Sequence, residues 1–235
     1  MAEDDFDIDA LAAYLHLSPV QVSRLVERGR LPARRVSGQL RFSRHEVHHW
    51  LEERIGLSDE AELVHMEGVL STRPGRDQGD VISIAELLPV EAIAVPLAAR
   101  TRQSVIVEMT ELAARTGLLW DAGKMAEAVR AREDMAPTAL ENGVALLHPR
   151  RPMPSVLGEA VIALGRTNRG IPFGGAGGVL TDLFFLIGSL DDRGHLRILA
   201  RLSRLISDPS LLDELRHATD ARTAHELIAA RETQL

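Results

Sequence analysis

The chain has 235 residues and a formal net charge of −7, with 45% apolar but only 3% aromatic residues. That length allows one large or two small domains around an aliphatic core, and the overall acidity excludes a general polyanion binder. The chain has no cysteine, which rules out disulfides and thiolate metal sites and fits a reducing compartment. No apolar run reaches the roughly eighteen residues a membrane span requires, and the acidic opening MAEDDFDID is the opposite of a signal peptide. A cytoplasmic protein without membrane insertion is therefore expected.

The charge is unevenly spread. Residues 1–10 carry five acids and no base, whereas Arg24, Arg28, Arg30, Arg34, Arg35, Arg41 and Arg44 follow with only Glu27 against them. Such a local basic patch suits a phosphate backbone, though a solvated face would carry the same charge. The local pattern separates the two. Residues Ile8 to Leu15 read as a short amphipathic helix. Ser18 stands where an N-cap belongs, with Pro19 at the first helical position, and Gly29 ends the second helix. Gln21, Ser23, Arg24 and Arg28 face outward on that second helix, where Gln can read adenine and Arg guanine. Ser37-Gly38 between β-rich arms predicts a hairpin bearing Arg34, Arg35 and Arg41. A third helix is expected from Ser43 to Arg54, capped by Ser43 and burying Val47, Trp50 and Leu51.

The stretch DALAAYLHLSPVQVSRLVERGRLPARRVSGQLRFSRHEVHHWLEE resembles the excisionase-like, MerR-type winged helix-turn-helix family over about residues 6–54. The resemblance implies a small domain over residues 1–56 that binds double-stranded DNA. Gln21, Ser23, Arg24, Arg28, Arg34, Arg35 and Arg41 are the expected contacts, and a homodimer would match the two-fold symmetry of DNA sites. The acidic tail is expected to compete with DNA for the arginines. His45, His48 and His49 share helical spacing, but no carboxylate or thiolate completes a ligand set; a polar outer face is expected, and no metal.

Residues 57–80 read as a join, with a helix capped by Ser58 through Leu63, Met66 and Leu70, then a Pro- and Gly-bearing linker. From Val81 to the end, strands alternate with helices. Ser83 caps a short helix to Leu88, and Ala92–Val95 is a strand. Helices run from Arg102 to Thr116 and from Asp121 to about Glu133. Strands are expected at Val144–Leu147, Val156–Leu164 and Leu180–Ile187, then helices at His195–Ile206, Pro209–Ala218 and Ala221–Arg231. This order predicts an α/β layered domain with a central mixed sheet over residues 81–235. The glycines between Gly170 and Gly178 lack the Gly-Lys-Ser/Thr ending of a nucleotide loop, so a hairpin and no nucleotide or other cofactor are expected.

Within this domain, Gly143 and Pro149 bracket a four-residue apolar strand that delivers His148 to a turn. A neutral imidazole at such a place can carry a group covalently. The segment MAPTALENGVALLHPR resembles the phosphorylation-site segment of enzyme IIA domains of the bacterial sugar phosphotransferase system. The class is the fructose, mannitol and nitrogen-regulatory (PtsN-like, type 2) one. AVRARED, GIPFGGAGGVLTDLFFLIG and HLRILARLSRLISDPSLLDELRHA extend the match to about residues 81–232. The resemblance implies that His148 accepts a phosphoryl group from an HPr-like phosphocarrier protein. It assigns Arg132 and His195 as its active-site arginine and second histidine. Thr138 and Arg150 are further candidates to bind the phosphoryl oxygens. The segment departs from the family's usual Ser-Thr-Gly-Ile-Gly, reading Pro137-Thr138-Ala139-Leu140-Glu141, and Leu147 replaces the usual proline before the histidine. The two halves together imply a regulator in which phosphorylation modulates DNA binding. The alternatives are a phosphocarrier whose front domain only docks proteins and a non-catalytic, protein-binding regulator.

Overall fold

The computed structural model describes residues 5–15, 17–57, 63–64, 68, 70 and 82–235, and the chain divides into two compact units, residues 1–80 and 81–235. The helix expected from Ser58 lies mostly outside the described residues; Leu63, Val64, Gly68 and Leu70 are helical.

In the first unit, α1 (Ile8–Leu15) buries Leu11, Ala12 and Leu15. Helix α2 (Pro19–Glu27) starts where Ser18-Pro19 indicated. The Ser18 side chain accepts the Gln21 N–H, and the Gln21 side chain accepts the Ser18 N–H, a reciprocal cap. Strands β2 (Arg34–Val36) and β3 (Gln39–Ser43) form the expected hairpin. Ser37 and Gly38 both have positive φ, 51° and 81°, as a two-residue turn that matches strand twist demands. A short strand β1 (Asp5–Phe6), not anticipated from sequence, pairs antiparallel with β3, giving the order β1-β3-β2.

Helix α3 (Arg44–Leu57) buries Val47, Leu51 and Ile55, spaced four apart on one stripe. Trp50 departs from expectation: it is half-buried, with the Arg54 guanidinium 5.1 Å over its ring. His48 also departs, for it is buried rather than on an outer polar face, and its Nε2 lies 3.0 Å from the Tyr14 hydroxyl. A polar ring taken out of water needs such a partner.

The second unit is an α/β layered domain on a mixed four-stranded sheet. Its elements are α4 (Ile84–Leu87), β4 (Ile93–Leu97), α5 (Arg102–Ala114), α6 (Ala122–Met135), β5 (Val144–Leu147), β6 (Val161–Pro172), β7 (Leu180–Gly188), α7 (Asp192–Ile206), α8 (Pro209–His217) and α9 (Ala221–Glu232). The strand order is β4-β6-β7-β5, with β4/β6 and β5/β7 parallel and β6/β7 antiparallel. From Leu183 onward β7 is covered on both faces, which is why LFFLIG reads as an unbroken apolar run. One face meets Val105, Met109 and Leu112 of α5 and Val129 of α6.

The strand expected at Val156–Leu164 begins only at Val161. Val156 and Leu157 instead serve the loop after α5: the Trp120 N–H donates to the Val156 carbonyl at 2.8 Å, and Leu157 bridges Leu119. Strand β6 then extends through polar Arg166–Gly170 to Pro172, and the glycine-rich stretch closes its hairpin with β7.

The ends of this unit are tied together. Glu232, at the end of α9, accepts the Ser83 hydroxyl and the N–H groups of Ile84 and Ala85, and pairs with Arg201 at 3.2 Å. A buried carboxylate thereby satisfies the orphan donors of the first helical turn.

Candidate functional site

The site is built from the turn that launches β5. Gly143 has φ 82°, and a Cβ there would come within 2.8 Å of Arg216 Nη2. Arg216 donates to the Asn142 carbonyl at 2.7 Å and pairs with Asp182 at 2.9 Å. The Asn142 side chain donates to the Ile206 carbonyl and accepts the Val144 N–H. With this anchor, β5 runs fully buried beside β7, Leu147 facing Leu186, and delivers His148 at its end.

His148 is 3% exposed, and its Nδ1 lies 2.8 Å from the Leu146 carbonyl oxygen. A carbonyl only accepts, so Nδ1 carries the proton and the lone pair of the neutral ring sits on Nε2. The ring centroid of His195 stands 5.0 Å away, with the planes tilted by 49°. His195 is the fourth residue of α7, which starts three residues earlier than expected because Asp191 caps it by accepting the Gly194 N–H. The first-turn position supplies the positive end of a helix dipole beside the two rings.

Arg132 occupies the last turn of α6, 6% exposed, with Nη1 donating to the Ala136 carbonyl at 2.8 Å. Its buried Nε meets no acceptor among the described residues. Thr138 lies alongside β5, its carbonyl accepting the Leu146 N–H at 3.3 Å. Its hydroxyl proton, expected to be available to a ligand, is committed to the Glu133 carboxylate. Arg150 is exposed two residues past His148. Thus His148 and His195 are brought ring to ring, and Thr138 joins His148 through Leu146, while Arg132 sits in the last turn of α6, which ends at Met135.

Sequence reading missed Glu133. It is 1% exposed, accepts from Thr138, and lies 3.5 Å from Arg102 Nη2. Burial pushes its carboxyl above the ordinary range, opposed by the Thr138 hydrogen bonds and the charges of Arg102 and Arg132. The one signal available was an acid following the buried spacing of Met125, Ala126, Val129 and Arg132 on α6, five residues before Thr138.

In the first unit, Arg24, Arg28, Arg34 and Arg35 are exposed, and Ser23 and Arg41 half-exposed. Gln21 is exposed, but its side-chain oxygen is held by the Ser18 N–H and hydroxyl in the helix cap. Bidentate reading of adenine needs that oxygen free. Arg34 is paired with Asp5, which raises its pKa through a hydrogen bond, and Arg41 lies 4.0 Å from Asp7. The glycines at 170–178 carry no helix N-terminus after them, consistent with a hairpin.

The unit is thus a mixed α/β domain with two buried histidines set ring to ring where β5 ends. Residues 86–231 match the family described as phosphoenolpyruvate-dependent sugar phosphotransferase system, EIIA 2, and residues 6–55 match a helix-turn-helix domain. The chain belongs to the EIIA 2 family and carries a helix-turn-helix domain in front of it. It is similar to a nitrogen regulatory protein of Bradyrhizobium diazoefficiens, 31% identical over 150 residues, covering 62% of this chain and 94% of that one. It is also similar to the PTS system fructose-specific EIIABC component of Bacillus subtilis, 30% identical over 139 residues, 58% of this chain and 21% of that one. Among solved structures, the nitrogen regulatory protein IIA-Ntr of Neisseria meningitidis superposes with a TM-score of 0.55 at 25% identity, covering 62% of this chain and 98% of that one. IIA mannitol from Escherichia coli shares the fold, with a TM-score of 0.54 at 21% identity over 60% of this chain and 98% of that one. No helix among the described residues is long and apolar enough to cross a membrane.

Proposed function

We propose that this protein is a phosphotransferase-linked regulator in which His148 accepts a phosphoryl group from an HPr-like phosphocarrier and the helix-turn-helix domain binds double-stranded DNA. The observation that carries the first part is the hydrogen bond from His148 Nδ1–H to the Leu146 carbonyl, with His195 facing the same ring. It leaves Nε2 as the nucleophile.

In the step, Nε2 of His148 forms a bond to phosphorus as the bond to the donor's ring nitrogen breaks. The donor imidazole departs neutral with its own N–H. His148 keeps Nδ1–H, and the positive charge that develops on its ring is stabilised by the Leu146 carbonyl. Arg132 supplies a planar, permanently charged fork for the phosphoryl oxygens, and its buried, unsatisfied Nε supports this role. His195 donates to the same oxygens from the first turn of α7, and Arg150 at the rim supports docking or oxygen binding. Transfer of this kind needs placement and charge rather than an added cofactor.

The test is incubation with phosphoenolpyruvate, enzyme I and a phosphocarrier, followed by intact mass measurement. One added phosphoryl group on the parent and none on His148→Ala is expected; no addition to the parent overturns the assignment. For DNA, α2 and the β2–β3 wing supply Ser23, Arg24, Arg28, Arg34, Arg35 and Arg41 to the duplex, with Gln21 contributing only through its amide N–H groups while the cap is closed. A phosphate adds about two negative charges, and phosphorylated and unphosphorylated protein are expected to differ in operator affinity. Equal affinity removes the coupling.

A further inference from the structure

The segment Thr138–Leu140 lies antiparallel to the start of β5. Leu140 N–H donates to the Val144 carbonyl at 2.8 Å, Leu146 N–H donates to the Thr138 carbonyl at 3.3 Å, and Ala139 bridges Ala145. This is the pattern of a non-hydrogen-bonded pair flanked by two hydrogen-bonded ones. In such a ladder, residues 138 and 146 exchange two bonds: Leu146 N–H to Thr138 O, and Thr138 N–H to Leu146 O. Only the first is made. The Thr138 N–H is turned instead onto the Glu133 carboxylate, 3.3 Å from each oxygen, and the Thr138 hydroxyl donates to the same group. The Leu146 carbonyl, relieved of its ladder partner, takes His148 Nδ1.

Resting on the reading of His148 as the acceptor, we propose that Glu133 is a positioning residue that sets the His148 tautomer. By diverting the Thr138 N–H, it keeps the Leu146 carbonyl available to Nδ1 and so presents Nε2 to the phosphorus. Glu133 touches no reacting atom. Arg102, donating to the Glu133 carbonyl and 3.5 Å from its carboxylate, holds the group in place. When Glu133 cannot accept, the Thr138 N–H returns to its ladder partner. Nδ1 loses its acceptor, and the imidazole becomes free to carry its proton on Nε2, the wrong nitrogen for attack.

The test reads the tautomer directly. Nitrogen-15 spectra at about pH 8, where an imidazole is neutral, report which nitrogen is protonated; the His148 signals are assigned by their loss in His148→Ala. The parent is expected to show Nδ1–H. Glu133→Ala and the volume-conserving Glu133→Leu shift population to Nε2–H and slow phosphoryl acceptance by about tenfold or more, since small misplacements at a reacting centre cost that much. Glu133→Gln keeps an acceptor oxygen for Thr138 and restores the parent tautomer. An Nε2–H tautomer in the parent overturns the proposal. So does a folded Ala or Leu variant with the parent's signature, or a Gln variant as altered as Ala. The spectra are read on unphosphorylated protein. Failure of the parent to accept phosphate therefore removes the functional reading alone, while an unchanged tautomer in the variants removes this one.

Discussion

Asp5 on β1 and Arg34 on β2 form an ion pair past the intervening strand β3, so the acidic N-terminal segment holds an arginine of the wing. Asp7 stands 4.0 Å from Arg41 in the same sheet region. Two charges that would meet phosphates are thus engaged within the domain.

Replacing Asp5 by Asn is expected to strengthen binding to duplex DNA and to steepen its salt dependence by about one ion in the log–log slope, the contribution of one released arginine. Asp9, in the first turn of α1, is the control: Asp9→Asn changes the net charge equally without touching Arg34. Fluorescence anisotropy across a salt series reads both, and identical slopes for the two variants would contradict the role of the pair.

In the proposed transfer, the facing histidines and Arg132 divide the work. His195→Ala is expected to remain phosphorylatable but slower by roughly 10²-fold, the loss of one donor aimed at developing charge. Arg132→Lys keeps the charge but not the fork, and should slow acceptance by about tenfold, as expected for one charge-assisted hydrogen bond. Quenched-flow mass measurement separates these from His148→Ala, which should show no acceptance at all. Parent-like rates for both variants would place the phosphoryl group elsewhere.

Glu133 also leaves a thermodynamic mark. Its carboxyl is raised from 4.5, with burial the largest cause. The folded state therefore holds this proton more tightly than the unfolded state does. The contribution is favourable while the group is protonated and is lost as pH rises from about 4.5 through the higher folded value. Glu133→Gln cannot titrate. Urea unfolding of both proteins across that window should show the parent losing stability relative to the Gln variant as pH increases; the opposite slope would mean the carboxylate is favoured by its neighbours.

Gly143→Ala places a side chain at φ 82° and against the Arg216 guanidinium. A cost of about 1–2 kcal/mol is expected from the backbone alone, measured by thermal or chemical unfolding. Because Arg216 also holds Asp182 and the Asn142 carbonyl, phosphoryl acceptance should fall further than stability does.

What sequence made legible was mostly local. Ser18-Pro19 marked the start of α2, Ser37-Gly38 the wing, and Gly143 to Pro149 the strand ending in His148, because caps, turns and short apolar runs act over a few residues. Long-range pairing was not legible. Strand β1 has two residues and exists through its register with Ser43 and Phe42. Val156-Leu157 is apolar enough for a strand but packs by a loop, since the Trp120 N–H claims the Val156 carbonyl. Glu133 stood only as the end of an expected helix; the return of the chain at Thr138 is what brings an N–H and a hydroxyl to its carboxylate. Gln21 faced the right way for bases, but its oxygen is claimed by a neighbour three residues back.

Glu232 clasps Ser83, Ile84 and Ala85 across nearly the full length of the second unit. One carboxylate therefore makes the opening turn and the closing helix into a single cooperative piece. Amide protons of Ile84, Ala85 and the last turns of α9 should exchange with solvent at matched rates, and trimming the tail back past residue 232 should unravel the opposite end of the domain as well.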